Sequence, residues 1–146
     1  MSLKERLMAD LKEAMKEKKK LEKAVITMVR SAIKQYEVDH RVELDDEAIL
    51  DIVSKQVKQK KDAIEEFAKG GRDDLVDEAK AEIDILLNYL PQQLTEKELT
   101  QIVSQTIEEV GANSMKDMGK IMSAVMPKVK GRTDGKTVNR IIKQFL

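Results

Sequence analysis

Seven stretches of this chain carry apolar residues three or four positions apart, and none carries them alternately over the length of a strand. A stripe at that period is one face of an α-helix, and such a face has to be buried. The chain is therefore expected to be all-α, built by packing helix on helix. Leu3, Leu7, Leu11 and Met15 make the first stripe, with Met8 and Ala14 beside them, and Ser2 with Glu5 marks its start as a capping box. A second helix ending near Val38 places Leu21, Val25, Met28, Ala32 and Tyr36 on its inner side. The third covers about residues 46–69, capped by Asp45 or Asp46. Ile49, Ile52, Val53, Val57, Ile64 and Phe67 face inward, and Gly70-Gly71 follows its end. The fourth starts near Asp73, carries Leu75, Val76, Ala79, Ile83, Leu86 and Leu87, and is stopped after Leu90 by Pro91.

The stretch "LPQQLT" reads as a boundary. It separates an N-terminal four-helix domain, residues 1–91, from a small three-helix C-terminal domain, residues 92–146. Thr95 with Glu98 opens the fifth helix, with Leu99, Ile102, Val103, Thr106, Ile107 and Val110 inward and Gly111 past its end. Ser114 with Asp117 opens the sixth, Met115, Met118, Ile121, Met122 and Val125 follow, and Pro127 and Gly131 close it. The seventh runs from about Gly135 to Phe145.

Composition removes several kinds of chemistry. Without cysteine there is no disulfide, no thiol nucleophile and no Cys-based zinc site. The single histidine, His40, stands in a charged connection beside Asp39 and Asp45, reads as a surface side chain, and no metal is expected. The carboxylate pairs Glu65-Glu66 and Asp73-Asp74 read as solvated helix surface, so no catalytic residue and no cofactor is expected. The longest apolar runs fall far short of the ~20 residues that cross a bilayer. The opening segment has no continuous apolar core, and its acids Glu5, Asp10 and Glu13 are unlike a mitochondrial leader, so a cytoplasmic location is expected.

Charge is zero overall but unevenly placed. Residues 92–146 hold nine basic and six acidic side chains, and from Lys116 onward eight basic residues face only Asp117 and Asp134. That asymmetry points to an anionic partner. Within it lies "GRTDGKT", Gly131 to Thr137, which resembles a phosphate-binding loop. It has three residues, not four, between its first glycine and the Gly-Lys pair, and a helix rather than a strand precedes it. A nucleoside triphosphate site is rejected on both grounds. The stretch works as a turn instead, with Gly131 ending one helix and Asp134 capping the next. On the seventh helix Val138, Ile141, Ile142 and Phe145 share one face, and Lys136, Arg140 and Lys143 share the opposite one. With Lys128, Lys130 and Arg132 just before it, this basic stripe is the candidate contact for phosphates. No aromatics interleave the cations, which argues for backbone contact rather than base stacking. Gly119, inside the sixth helix at a cost of ~1 kcal/mol relative to alanine, is expected to serve close helix packing or the approach of a partner. Met115, Met118, Met122 and Met126 read as core.

The segments "KQKKDAIEEFAKGGRDDLVDEAKAEIDILLNYLPQQLTEKEL" and "GKIMSAVMPKVKGRTDGKTVNRIIKQFL" resemble the YqeY family, free-standing relatives of the tail domain of GatB, a subunit of the glutamine-dependent aspartyl/glutamyl-tRNA amidotransferase. The motif positions are Gly119, Lys120, Met122, Gly131, Arg132, Asp134, Gly135 and Lys136, while Ala79-Lys80 lacks an acid that the family often has there. The resemblance implies a helical two-part fold and an association with tRNA-dependent transamidation. It brings no counterpart of the ATP-dependent catalytic domain, so the label "carbon-nitrogen ligase with glutamine as amido donor" belongs to the larger enzyme. The expected function is non-catalytic binding of the tRNA backbone. The alternative is a helical adaptor for an amidotransferase or an aminoacyl-tRNA synthetase, which exposed apolar residues on the first or sixth helix would favour.

Overall fold

The computed structural model describes residues 1–146, all-helical with seven α-helices and no strand. The helices are α1 (Leu3–Lys16), α2 (Lys20–His40), α3 (Asp46–Lys69), α4 (Asp73–Leu87), α5 (Glu96–Val110), α6 (Met118–Val129) and α7 (Gly135–Phe145), with a single 3-10 turn at Met115–Asp117. They gather into two compact units, Met1–Leu90 and Pro91–Leu146.

In the first unit α1 and α2 form one hairpin and α3 and α4 another. Local chemistry sets their ends. Ser2 accepts from the Glu5 amide at 3.2 Å, and Asp45 accepts from the Ala48 amide at 2.9 Å. Both occupy donors that the first helical turn leaves unsatisfied. Between α3 and α4, Gly71 takes φ +70°, which lets the Arg72 amide reach back to the Phe67 carbonyl at 2.9 Å and close the helix. The core is a row of branched residues, Val25, Ile26, Val29 and Ile33 from α2 against Ile49, Val53 and Val57 from α3, with Leu7, Ile83 and Leu86 completing it.

That row corrects the inner face expected of α2. Met28 and Tyr36 are exposed, while Ile26, Val29 and Ile33 are buried. α2 has apolar residues on more than one side, and the β-branched set, rigid at χ1, is the one that interdigitates with α3. The helix also continues past Val38 to His40, whose ring stacks on Tyr36 at 4.0 Å. On α1, Met8 and Met15 are exposed rather than inward. α4 ends at Leu87, and the turn after it buries Tyr89, which donates to Asp10 and lies beneath the Arg6 guanidinium at 4.6 Å. Burial, then the Asp10 carboxylate, push the Tyr89 hydroxyl well above its ordinary pKa.

The second unit packs α5, α6 and α7 against one another. Its core is Leu99 and Val103, then Ile121, Val125 and Val129, then Val138, Ile141 and Ile142, each at most 1% exposed. Thr95 and Glu98 make the complete capping box at the start of α5. Ser114 opens the 3-10 turn rather than α6 and makes no side-chain cap bond. Asp117 instead accepts from the Asn113 amide at 3.2 Å. Pro127 lies inside α6, which continues to Val129. The proline gives up its bond to the carbonyl four residues earlier, and Val129 beyond it is fully buried. Met115 is exposed, and Phe145, expected on the inner face of α7, is 43% exposed at its last turn.

Candidate nucleic-acid interface

α7 is where the basic side chains are ordered by the fold. Asp134 caps it, accepting from the Thr137 amide at 2.7 Å. That carboxylate occupies an amide that an external anion would need, so the turn itself is a poor phosphate cradle. Val138, Ile141 and Ile142 are fully buried, which fixes the rotation of the helix. Lys136, Arg140 and Lys143, at i, i+4 and i+7, are therefore all exposed on one outer face. At 1.5 Å per residue they span roughly 10 Å.

The other cations stand elsewhere. Lys128 is on α6 and donates to Thr106 Oγ1 at 2.9 Å and to Glu109 at 2.8 Å, so it serves the α5–α6 contact. Lys130, exposed, is the residue after α6. Arg132 is half-buried and its Nε donates to the Gln92 carbonyl at 3.0 Å. The neighbouring backbone does similar work: the Leu94 amide donates to the Arg132 carbonyl at 2.9 Å, and the Gln93 side chain donates to the Gly131 carbonyl at 2.8 Å. Gly131 takes φ +75°, a conformation that favours glycine. The "GR-x-DGK" turn is thus a clamp on residues 92–94, the lead-in to α5. Arg132 also adds the smallest of the effects that hold the Glu98 carboxyl below its ordinary range. The bond from the Thr95 amide is the largest.

Two acids missed in the sequence temper the stripe. Arg140 pairs with Glu96 at 3.0 Å, and Lys128 with Glu109 at 2.8 Å. The first pair joins residues 44 positions apart, and no spacing rule connects them. The remaining motif residues divide between packing and surface. Met122 is half-buried, and its Cε lies 3.9 Å from where a side chain on Gly135 would begin, so these two positions pack α6 on the start of α7. Gly119 and Lys120 are exposed, and nothing lies within 4 Å of a Cβ built on Gly119. Close helix packing does not explain that glycine. No group of three or more potential metal ligands occurs.

The fold and this surface define an all-helical protein whose C-terminal three-helix unit turns a basic helix face outward. The chain belongs to the Yqey-like protein family, whose model matches residues 4–146. Among curated proteins it is similar to "Altered inheritance of mitochondria protein 41, mitochondrial" of several fungi. The protein from Lachancea thermotolerans is 42% identical over 71% of this chain and 57% of its own length. Those from Pyrenophora tritici-repentis and a Saccharomyces cerevisiae strain are 31% identical, over 97% and 95% of this chain and 79% and 80% of theirs. The chain thus spans little more than half of the first of these relatives.

These names correct the expected cytoplasmic location, because the relatives are mitochondrial proteins. The expectation rested on the lack of a membrane-length apolar run and on an opening segment with acids and no continuous apolar core. That segment is α1, a packed helix with Leu7 buried, and the charges of a folded element carry no address.

Proposed function

We propose that the unit Pro91–Leu146 binds tRNA without catalysing a reaction, contacting its phosphate backbone through the outer face of α7. The observation that carries this reading is the division of α7 into an apolar face, buried at Val138, Ile141 and Ile142, and an exposed face of Lys136, Arg140 and Lys143. A rigid row of cations is suited to a regularly spaced polyanion, and the counterions released from it add affinity. Lys130, exposed at the end of α6, adds a further cation in the same unit. Lys128 and Arg132 contribute positive charge while holding the unit together. Gly119 and Lys120 offer a bare stretch of helix to an approaching backbone. The resemblance to the GatB tail supports tRNA over other polyanions and a link with transamidation.

Titrating the full chain with tRNA at several salt concentrations tests this. Affinity should fall steeply with salt, and the double charge reversal Lys136→Glu with Lys143→Glu should weaken binding at least tenfold. The salt slope should drop by about 1 for each phosphate contact removed. Salt-independent binding, or a double variant that binds like the parent, would sink the reading. Glutamine- and ATP-dependent turnover by the purified chain alone would overturn its non-catalytic part.

A further inference from the structure

The first unit has an uncovered feature that owes nothing to the RNA reading. A groove of about 560 Å³ runs between α1 and α2, within the ~300–1,000 Å³ of typical ligand sites. Its floor is apolar: the partly open Leu11, with the outer edge of the core residues Leu7 and Ile33 beneath it. Met8 stands on its α1 edge, 38% exposed, and Met15, two turns further on the same side, is 55% exposed. Flexible thioethers at such an edge can adapt to a partner's surface.

The opposite wall is cationic. Arg30 and Lys34 lie one turn apart on α2 and both line the groove. Like charges at i, i+4 repel, a cost that an anion placed between them removes. The third cation, Lys4, is occupied: it pairs with Glu37, whose carboxylate also accepts from the Leu44 amide at 2.8 Å. That pair closes one end of the groove and neutralises the only acid in it. Thr27 and Ser31 keep the α2 wall low, and Thr27 turns its hydroxyl back onto the Lys23 carbonyl at 2.7 Å. From Lys4 to Leu11 the groove is two helical turns long, roughly 10 Å.

We propose that this groove docks an acidic amphipathic helix of a partner protein. Apolar residues of that helix at i, i+4 and i+7 would fill the floor, and a carboxylate beside them would reach between Arg30 and Lys34. A groove open along its length between two antiparallel helices accepts a third helix in this way. It does not enclose a small molecule.

Panning a displayed library of helical 16-residue peptides on the immobilised full chain tests the proposal. Sequences with apolar anchors at i, i+4, i+7 and flanking Glu or Asp should be enriched. Synthetic versions should bind the parent at least tenfold more tightly than they bind Met8→Glu or the double variant Arg30→Glu with Lys34→Glu. The variants change exposed or rim positions, and unchanged far-UV circular dichroism and thermal midpoints would establish that they fold. tRNA binding should be unaffected in both. Enrichment without an acidic bias, no enrichment, or binders indifferent to both variants would overturn the proposal. So would a concentration-dependent dimer that Met8→Glu abolishes, because the occupant would then be a second copy of this chain.

Discussion

α2 and α7 bury similar side chains and leave opposite surfaces behind. α7 sends Val138, Ile141 and Ile142 inward and shows mostly polar and basic residues outside, apart from Phe145 at its end. α2 sends Val25, Ile26, Val29 and Ile33 inward and still shows Met28, Tyr36 and Val38 to solvent. A helix with one apolar face has one rotational answer. A helix apolar on several sides has competing answers, and the facing element decides among them. The same difference separates the surfaces: the second unit offers ordered charge, and the first offers a groove with an apolar floor.

Damage to one core should leave the other untouched if the two units fold independently. Ile141→Ala removes a fully buried side chain from a unit of only 56 residues and should cost about 2–5 kcal/mol. If residues 1–91 and 92–146 are separate domains, as we propose, calorimetry should show the second unit melting early and the first unmoved. A single transition shifting as a whole would mean that the two units are one cooperative body.

A smaller effect separates support from contact on the basic side. Arg132→Ala removes the donor to the Gln92 carbonyl and should lower stability by about 1 kcal/mol while weakening tRNA binding. Lys143→Ala should weaken binding alone. Equal stability losses in the two variants, read from urea midpoints, would show that Arg132 is not the clamp described.

How much could be read from sequence follows from the same contrast. α3 was legible at both ends because Asp45 and Gly70-Gly71 are local signals. α7 was legible in its faces, except for Phe145 at its last turn, because one periodicity had no rival. The rotation of α2 was not, since Met28 and Tyr36 fit a helical spacing as well as Ile26, Val29 and Ile33 do. Tyr89 was missed because its partner Asp10 is 79 positions away, and Glu96 was missed opposite Arg140 for the same reason. The end of α6, expected between Pro127 and Gly131, falls at Val129, and the burial of that residue is a property of the packed unit rather than of the local sequence.

Acid should probe the caps and clasps of both units. Bonds from the Lys4 ammonium and the Leu44 amide hold the Glu37 carboxyl below its ordinary pKa, and bonds from Thr95 do the same for Glu98. A depressed folded-state pKa contributes stability that is complete above the unfolded value and lost as pH falls through the folded one. Stability should therefore decline below about pH 4.3. Glu37→Gln should flatten that decline in the first unit and Glu98→Gln in the second, as followed by urea midpoints against pH.

The smallest expected change is also the most discriminating for the surface of α6. Gly119 is exposed in the first turn, and an added Cβ meets nothing within 4 Å. Gly119→Ala should therefore stabilise the protein, by up to about 1 kcal/mol, because it reduces the freedom of the unfolded chain. A glycine kept at such a position for a partner's approach has a distinct signature: the alanine variant would be more stable and bind tRNA less well. If the variant gains stability and binds unchanged, the contact is confined to α7. If it loses stability, the conformation at Gly119 differs from the ordinary helical one, and the bare stretch beside Lys120 is not a docking surface.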